Sequence, residues 1–368
     1  MTALVSPARP VPSAEWNTLT GSDDDRRRAI LQRKIDHGRA TAQQLLESIE
    51  RDQPRDQIVR AGAIGFESDR CHGIQVRVGE DAYVPTEFAL GQIAARACVP
   101  GPYLRELTAE DAEPWRPQLA AQILRAHYEH LGTDRLLLRS VRGQLRGWLS
   151  DRYRRLDSRP LVDALATEAT QLGAVPIDGV ATETRVALKL ILPQVFEPVP
   201  GEFVAYGGEW SNSDFGNGVH SFRTFVLRVI CLNGMTGENV LKQVHLGTRL
   251  REDLELSDRT YRLDTATSAS MLRDIVRRTF RNGAETLARA IRAAHERSTT
   301  VAQLAKSTRS LPKNVQSSIT AAFESPDIIN LPAGNTAWRA SNAISWVARN
   351  TPDAELRLDL ERTAGTFV

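Results

Sequence analysis

Catalysis needs polar groups that converge, and this chain offers few at a readable spacing. His127 and His130 stand three apart on a helical stretch, so one cavity could see both. No H-E-x-x-H pattern and no nearby cysteine completes a zinc tetrahedron. His220 and His245 fall in different segments, and the sequence leaves open whether they meet. Neither G-x-S-x-G nor an S-x-x-K beside a base occurs, and Cys231 lies in an apolar run where a thiol is packing. There is no G-x-x-x-x-G-K-[ST] phosphate loop, and Gly216-Asn217-Gly218 is too short for a dinucleotide fingerprint. Asn212-Ser213-Asp214 could hold a cation through oxygens, although such triplets more often close side chain-to-backbone turns. No catalytic residue, cofactor or metal is therefore expected.

Arginine is what remains, and it outnumbers lysine throughout. Its planar fork suits phosphates and its flat face suits bases. The stretch from Asp134 to Tyr153, DRLLLRSVRGQLRGWLSDRY, sorts itself as a β-hairpin turning at Arg142-Gly143. An unbroken two-residue turn sets Val141 opposite Gln144, Arg139 opposite Arg146, Leu137 opposite Trp148 and Arg135 opposite Ser150. Alternation then gives a core face of Leu136, Leu138, Leu145 and Leu149. The other face carries Arg135, Arg139, Arg146, Trp148 and Arg152, with Leu137 among them. A cationic strand face with one tryptophan is built to hold phosphates and stack a base. Arg154 and Arg155 extend it, and Arg159 follows.

The rest of the chain must position that ribbon. Its net charge of +2 neither demands nor excludes an anionic partner, so the electrostatic case is local. Three cysteines, Cys71, Cys98 and Cys231, lie far apart and outside any C-x-x-C pattern. That argues for a reduced compartment, and the cytoplasm is the default location. No apolar run reaches the roughly 18 residues of a membrane helix, and the Pro-rich start reads as an arm rather than a signal peptide. Four regions are expected: a flexible arm over 1–22, a helical and strand region over 23–132, a central antiparallel-sheet region over 133–266, and a helical region over 267–368. The class is α+β, with a largely antiparallel central sheet flanked by helices and a helical C-terminal part.

Within those regions the spacing predicts a helix over 23–50, weakened at Gly38. Strands are predicted near 58–64 and 74–78. A helix, a turn at Val99-Pro100-Gly101-Pro102 and a second short helix follow. Ala94, Cys98, Val99 and Leu104 echo a helix-turn-helix, but Pro100 and Pro102 would shorten a reading helix, and a pair capping a sheet is favoured. Thr108 with Asp111 predicts the start of a helix running to Leu131. Asp157 or Ser158 caps another that ends at Gly173. Strands are predicted over 184–195, which Pro193 ends or places at an edge, over 202–210 with a bulge at Gly207-Gly208, over 221–232, and over 241–250 with Arg249 and Arg251 at its end. A long helix over 268–295 carries Arg273, Arg277, Arg278, Arg281, Arg289 and Arg292 on its polar side. Shorter helices follow over 299–305, 315–323 and 337–348, the last closing the fold.

Several short motifs, taken in order, resemble a known family. They are Gln92-Ile93-Ala94 with Val99-Pro100, Ser150-Asp151-Arg152-Tyr153, Asn212-Ser213-Asp214-Phe215-Gly216, Arg228-Val229-Ile230-Cys231-Leu232-Asn233-Gly234-Met235, and Trp338-Arg339-Ala340-Ser341-Asn342-Ala343. From about Ile58 onward the chain resembles the phage/plasmid-like family carried as a domain of unknown function. The resemblance implies a mobile-element setting and carries over no catalytic residues. The resulting expectation is a non-enzymatic, single-stranded nucleic-acid-binding protein, an annealing or protective factor of phage or plasmid DNA metabolism. Its contacts would be Arg135, Arg139, Arg146, Arg152, Arg154 and Arg155 for phosphates and Trp148 for stacking. An acidic protein partner, bound by a regulatory or counter-defence protein, is the second reading. A metal-dependent enzyme acting on nucleic acid, its metal recruited by Asp214 and neighbouring carboxylates, is the third. Self-association stays open, and no membrane partner is expected.

Overall fold

The computed structural model describes residues 22–69, 71, 73–230, 232–243, 245, 256–325 and 331–368. The expected arm over 1–22 lies outside them except for Ser22, as do Cys231, Arg249 and Arg251.

Helix α1 (Ser22–Arg51) buries Leu31, Ile35, Ala42, Leu45, Leu46 and Ile49, the stripe its periodicity marks. Gly38 does not break it. A Cβ there would stand 2.1 Å from the Ile177 Cα, so the glycine lets the helix lie against a strand.

The first sheet contains β1 (Arg55–Arg60), β2 (Ile64–Asp69), β3 (Gly73–Val78), β4 (Asp81–Pro85), β5 (Arg135–Val141) and β6 (Gln144–Ser150), in the order β1-β5-β6-β4-β3-β2. Its β4–β6 pair is parallel and the others are antiparallel. Helices α2 (Glu87–Arg96), α3 (Gly101–Leu107) and α4 (Trp115–Leu131) close its core over Phe66, Ile93, Leu124, Tyr128, Leu138 and Trp148. Helix α4 starts seven residues later than Thr108 suggests. The Thr108 hydroxyl instead donates to the Leu104 carbonyl at 3.0 Å and closes α3, so it cannot cap a following helix.

The second sheet is antiparallel throughout, in the order β11-β10-β9-β8-β7: β7 (Val175–Ala181), β8 (Val186–Val199), β9 (Glu202–Asn212), β10 (His220–Arg228) and β11 (Asn233–Gln243). Helices α5 (Ser158–Gln171) and α6 (Asp258–Glu296) cover one face through Leu161, Leu165, Trp210, Phe222, Leu272 and Val276. Helix α1 covers the other face over Ile191, Ala205 and Phe225. Helices α7 (Val301–Thr308), α8 (Lys313–Glu324), α9 (Ala337–Arg349) and α10 (Ala354–Gly365) gather around a further core with Trp338, Ile344 and Leu360.

The α+β class and the helical C-terminal part are as expected, but the sheet is two sheets. The hairpin belongs to the first of them, so a boundary between 132 and 133 would cut a sheet, and one between 266 and 267 would cut α6. Strand β8 runs through Pro193 with only a register irregularity between Ile191 and Val195. Gly207 and Gly208 sit in unbroken pairing with β10. They make room: a Cβ on Gly208 would meet the Phe222 ring at 2.2 Å. Helix α10 is not foreseen by the sequence reading.

Candidate functional site

The hairpin forms with the turn as read, Arg142 and Gly143 both at positive φ (49° and 81°) and Val141 opposite Gln144. It then departs from simple alternation. Ser140 faces Leu145 and Arg139 faces Gly147, so Arg146 is an extra, bulged residue. One inserted residue moves every later side chain of β6 to the opposite face. Trp148 therefore stands opposite Leu138 and enters the core, 4% exposed, edge-on to Tyr128 at 5.3 Å. Leu149 takes the face that Trp148 was expected to hold.

The arginines do not make an open cationic face either. Arg139 is 1% exposed: its Nε donates to Asp56 at 2.7 Å, one Nη to the Asp214 carbonyl at 2.7 Å and the other to Asp157 at 2.5 Å. Burial opposes its charge, but Asp157, Asp56 and Asp214 more than restore it and hold the guanidinium protonated. Arg146 pairs with Asp52 at 3.2 Å and lies 5.7 Å from the Phe215 ring. Arg154 makes a two-pronged pair with Asp264, and Arg155 pairs with Asp56 at 3.3 Å while covering Tyr261 at 4.2 Å. Arg159 is paired with Glu50. Arg135 and Arg152 are half-buried at the two ends of the hairpin. The expected stacking and phosphate surface is thus largely an internal one, corrected by the bulge and by aspartates from the α1–β1 connection, from β1 and from the segments after β6.

That internal surface is a joint between the two sheets, and the resembling motifs meet there. The Gln92 amide donates to the Phe215 carbonyl at 3.0 Å and accepts from the Trp148 backbone N–H at 2.7 Å. The Tyr153 hydroxyl donates to the Ser213 carbonyl at 2.9 Å, and Tyr153 stacks on His245 at 5.0 Å. Asp214 Oδ1 accepts from both the backbone N–H and the hydroxyl of Ser158. Burial pushes the Asp214 carboxyl up to about 6, with Arg139 opposing. The position a cation would take among Asp56, Asp157 and Asp214 is occupied by the Arg139 guanidinium, and no group of three or more His, Cys, Asp or Glu able to hold a metal occurs among the described residues. The remaining motifs form a second cluster, where Asn233 donates to the Asn342 carbonyl and the Ser341 hydroxyl lies 3.1 Å from the Met235 sulfur. His220 and His245 approach the same region but bond to Gln243 and to Asn212 and Arg154 respectively.

A different site emerges on the second sheet. Four strands place Asp178, Lys189, Glu209 and Arg223 in one register row, a ladder of alternating charge. Three of its rungs are buried and matched. Lys189 binds Asp178 at 3.1 Å and Glu361 of α10 at 2.5 Å. Burial alone would raise Asp178, but Lys189, Arg357 and Lys34 pull it down to about 2. Glu209, fully enclosed, accepts from Arg362 of α10 at 3.1 Å and from Thr236 at 2.9 Å. Arg223 is the cation left over. Its Nε is enclosed with no hydrogen-bond partner, and burial together with the neighbouring Arg362 charge lowers its pKa.

Arg223 opens into a groove of about 890 Å³ between α6, the irregular β10–β11 edge and α10. Arg278 and Arg362 line it with Arg223, together with the apolar side chains of Val226, Met235 and Leu287. Beyond Arg278, the solvent side of α6 carries exposed Arg281 and Arg289, with Glu285 between them and no ion pair joining any of these four among the described residues. Sequence reading marked α6 as basic but not the groove, because Arg223 and Arg362 lie far apart in the chain and α10 went unread.

Comparison with protein-family models, with curated proteins and with solved structures finds no match for this chain.

Proposed function

We propose that this protein is a non-enzymatic nucleic-acid-binding protein, favouring single strands, that contacts phosphates through the exposed arginines of α6 rather than through the hairpin. The observation that carries this reading is the contrast between the two basic regions. In and after the hairpin, Arg139, Arg142, Arg146, Arg154 and Arg155 face aspartates at 2.5–3.3 Å, whereas Arg278, Arg281 and Arg289 have no carboxylate partner among the described residues. A stripe of three arginines and one glutamate, Glu285, spans eleven helical steps, about 17 Å at the usual rise; its net positive charge can replace counterions along a phosphate backbone. Helix α6 lies flat on its sheet, so it cannot project into a duplex groove as a reading helix does. A flexible strand can follow it. The mobile-element setting rests on the motif resemblance.

Titration of a fluorescent single-stranded oligonucleotide at several salt concentrations tests the reading. The double variant Arg281→Ala/Arg289→Ala is expected to weaken binding and to flatten the salt slope by about 1.4, two contacts at about 0.7 each. Arg142→Ala, in the hairpin turn, is expected to change nothing. Absence of binding by the wild-type chain, or equal salt slopes in wild type and double variant, would sink the proposal. An acidic protein that no polynucleotide can displace would point to the partner-binding alternative.

A further inference from the structure

We infer that the groove between α6, the β10–β11 edge and α10 is a further ligand site, which shares Arg278 with the α6 stripe, and that it takes a small phosphate monoester with an apolar body. Three observations converge. First, the charge cluster holds more cations than carboxylates, and Lys34 and Arg223 are the two that make no ion pair among the described residues. Lys189, Arg357 and Arg362 each have a buried carboxylate, Glu361 or Asp178 for the first, Asp178 for the second and Glu209 for the third. Arg223 stands opposite Glu209 and feels its charge, but it makes no ion pair among the described residues, and its Nε and that of Arg362 are both enclosed without an acceptor. A half-buried guanidinium with idle donors destabilises the fold it sits in, which is tolerable where a ligand supplies the acceptors. Second, the volume of about 890 Å³ is that of a small-molecule site and more than one phosphate would fill. Third, the composition is mixed. Arg223, Arg278, Arg362, Asn282 and Thr286 line it together with the buried apolar side chains of Val226, Met235 and Leu287. Two or more guanidinium groups match the charge and the several oxygens of a phosphate dianion better than a single carboxylate.

The apolar lining suits either a nucleobase or an alkyl chain, so the test has two arms. Adenosine 5′-monophosphate and octyl phosphate are titrated calorimetrically into the full-length chain, with adenosine and octanol as uncharged controls. At least one phosphate is expected to saturate, at least tenfold tighter than its control. Arg223→Met keeps the side-chain bulk and removes the charge; it is expected to weaken that phosphate at least tenfold while leaving the melting temperature unchanged or higher. No saturation by either phosphate below about 10 mM, or equal binding by wild type and Arg223→Met, would overturn the inference. So would a variant that melts several degrees lower, because the guanidinium would then be holding the fold. Oligonucleotide binding by Arg223→Met separates this site from the α6 stripe: unchanged strand affinity with lost monoester binding upholds both readings, and lost monoester binding with a wild-type chain that binds no strand, or with a stripe variant whose salt slope equals that of wild type, leaves this inference standing alone.

Discussion

At the residue scale, one inserted side chain decides what Trp148 does. The bulge at Arg146 takes the indole from the expected outer face and sets it against Tyr128 and Phe66. Trp148→Ala is therefore expected to destabilise the protein by about 3–5 kcal/mol through the cavity it leaves. Urea denaturation measures this. The reading that made Trp148 a stacking platform foresees instead little loss of stability and weaker oligonucleotide binding, and that pair of results would refute the core assignment. Arg139 repeats the lesson with charge. A guanidinium in a strand looks like a phosphate contact until Asp56, Asp157 and the Asp214 carbonyl, remote in sequence, are found around it.

At the element scale, glycines read by propensity mislead where two elements touch. Gly38 lies mid-helix in α1, and replacement by Ala in an isolated helix would stabilise it by about 1 kcal/mol. Here the added methyl would fall 2.1 Å from the Ile177 Cα and 2.5 Å from the Pro176 carbonyl oxygen, both backbone atoms of β7. Gly38→Ala is expected to lower stability by more than about 1 kcal/mol, the opposite sign, and thermal melting tells the two apart. Helix α10 shows the converse error. Leu356, Leu358 and Leu360 alternate with charged residues, a strand-like period, yet Asp353 caps a helix that buries Leu358, Leu360, Glu361 and Ala364. Missing that element hid the carboxylate and the guanidinium that match Lys189 and Glu209.

At the scale of the whole molecule, the joint between the sheets ties global stability to pH through Asp214. Its carboxyl titrates near 6 in the folded protein and near its ordinary value of 3.8 when unfolded. Between those values the folded chain binds the extra proton, so this group adds stability as pH falls and costs stability above pH 6. Asp214→Asn keeps an oxygen to accept from Ser158 and removes the ionisation. Its stability relative to wild type is expected to be more favourable at pH 8 than at pH 4, by on the order of 2–3 kcal/mol. A difference independent of pH, measured by chemical denaturation, would show that Asp214 titrates normally. By itself the sequence determined the α+β class, the helical third, the hairpin with its turn, and the apolar stripes of α1, α5 and α6, because those follow from periodicity and local backbone preference. Only the tertiary structure decided which arginines are neutralised and which are idle. Neutralisation depends on carboxylates brought from distant segments to within about 3 Å, and on a bulge whose one-residue slip no local pattern announces.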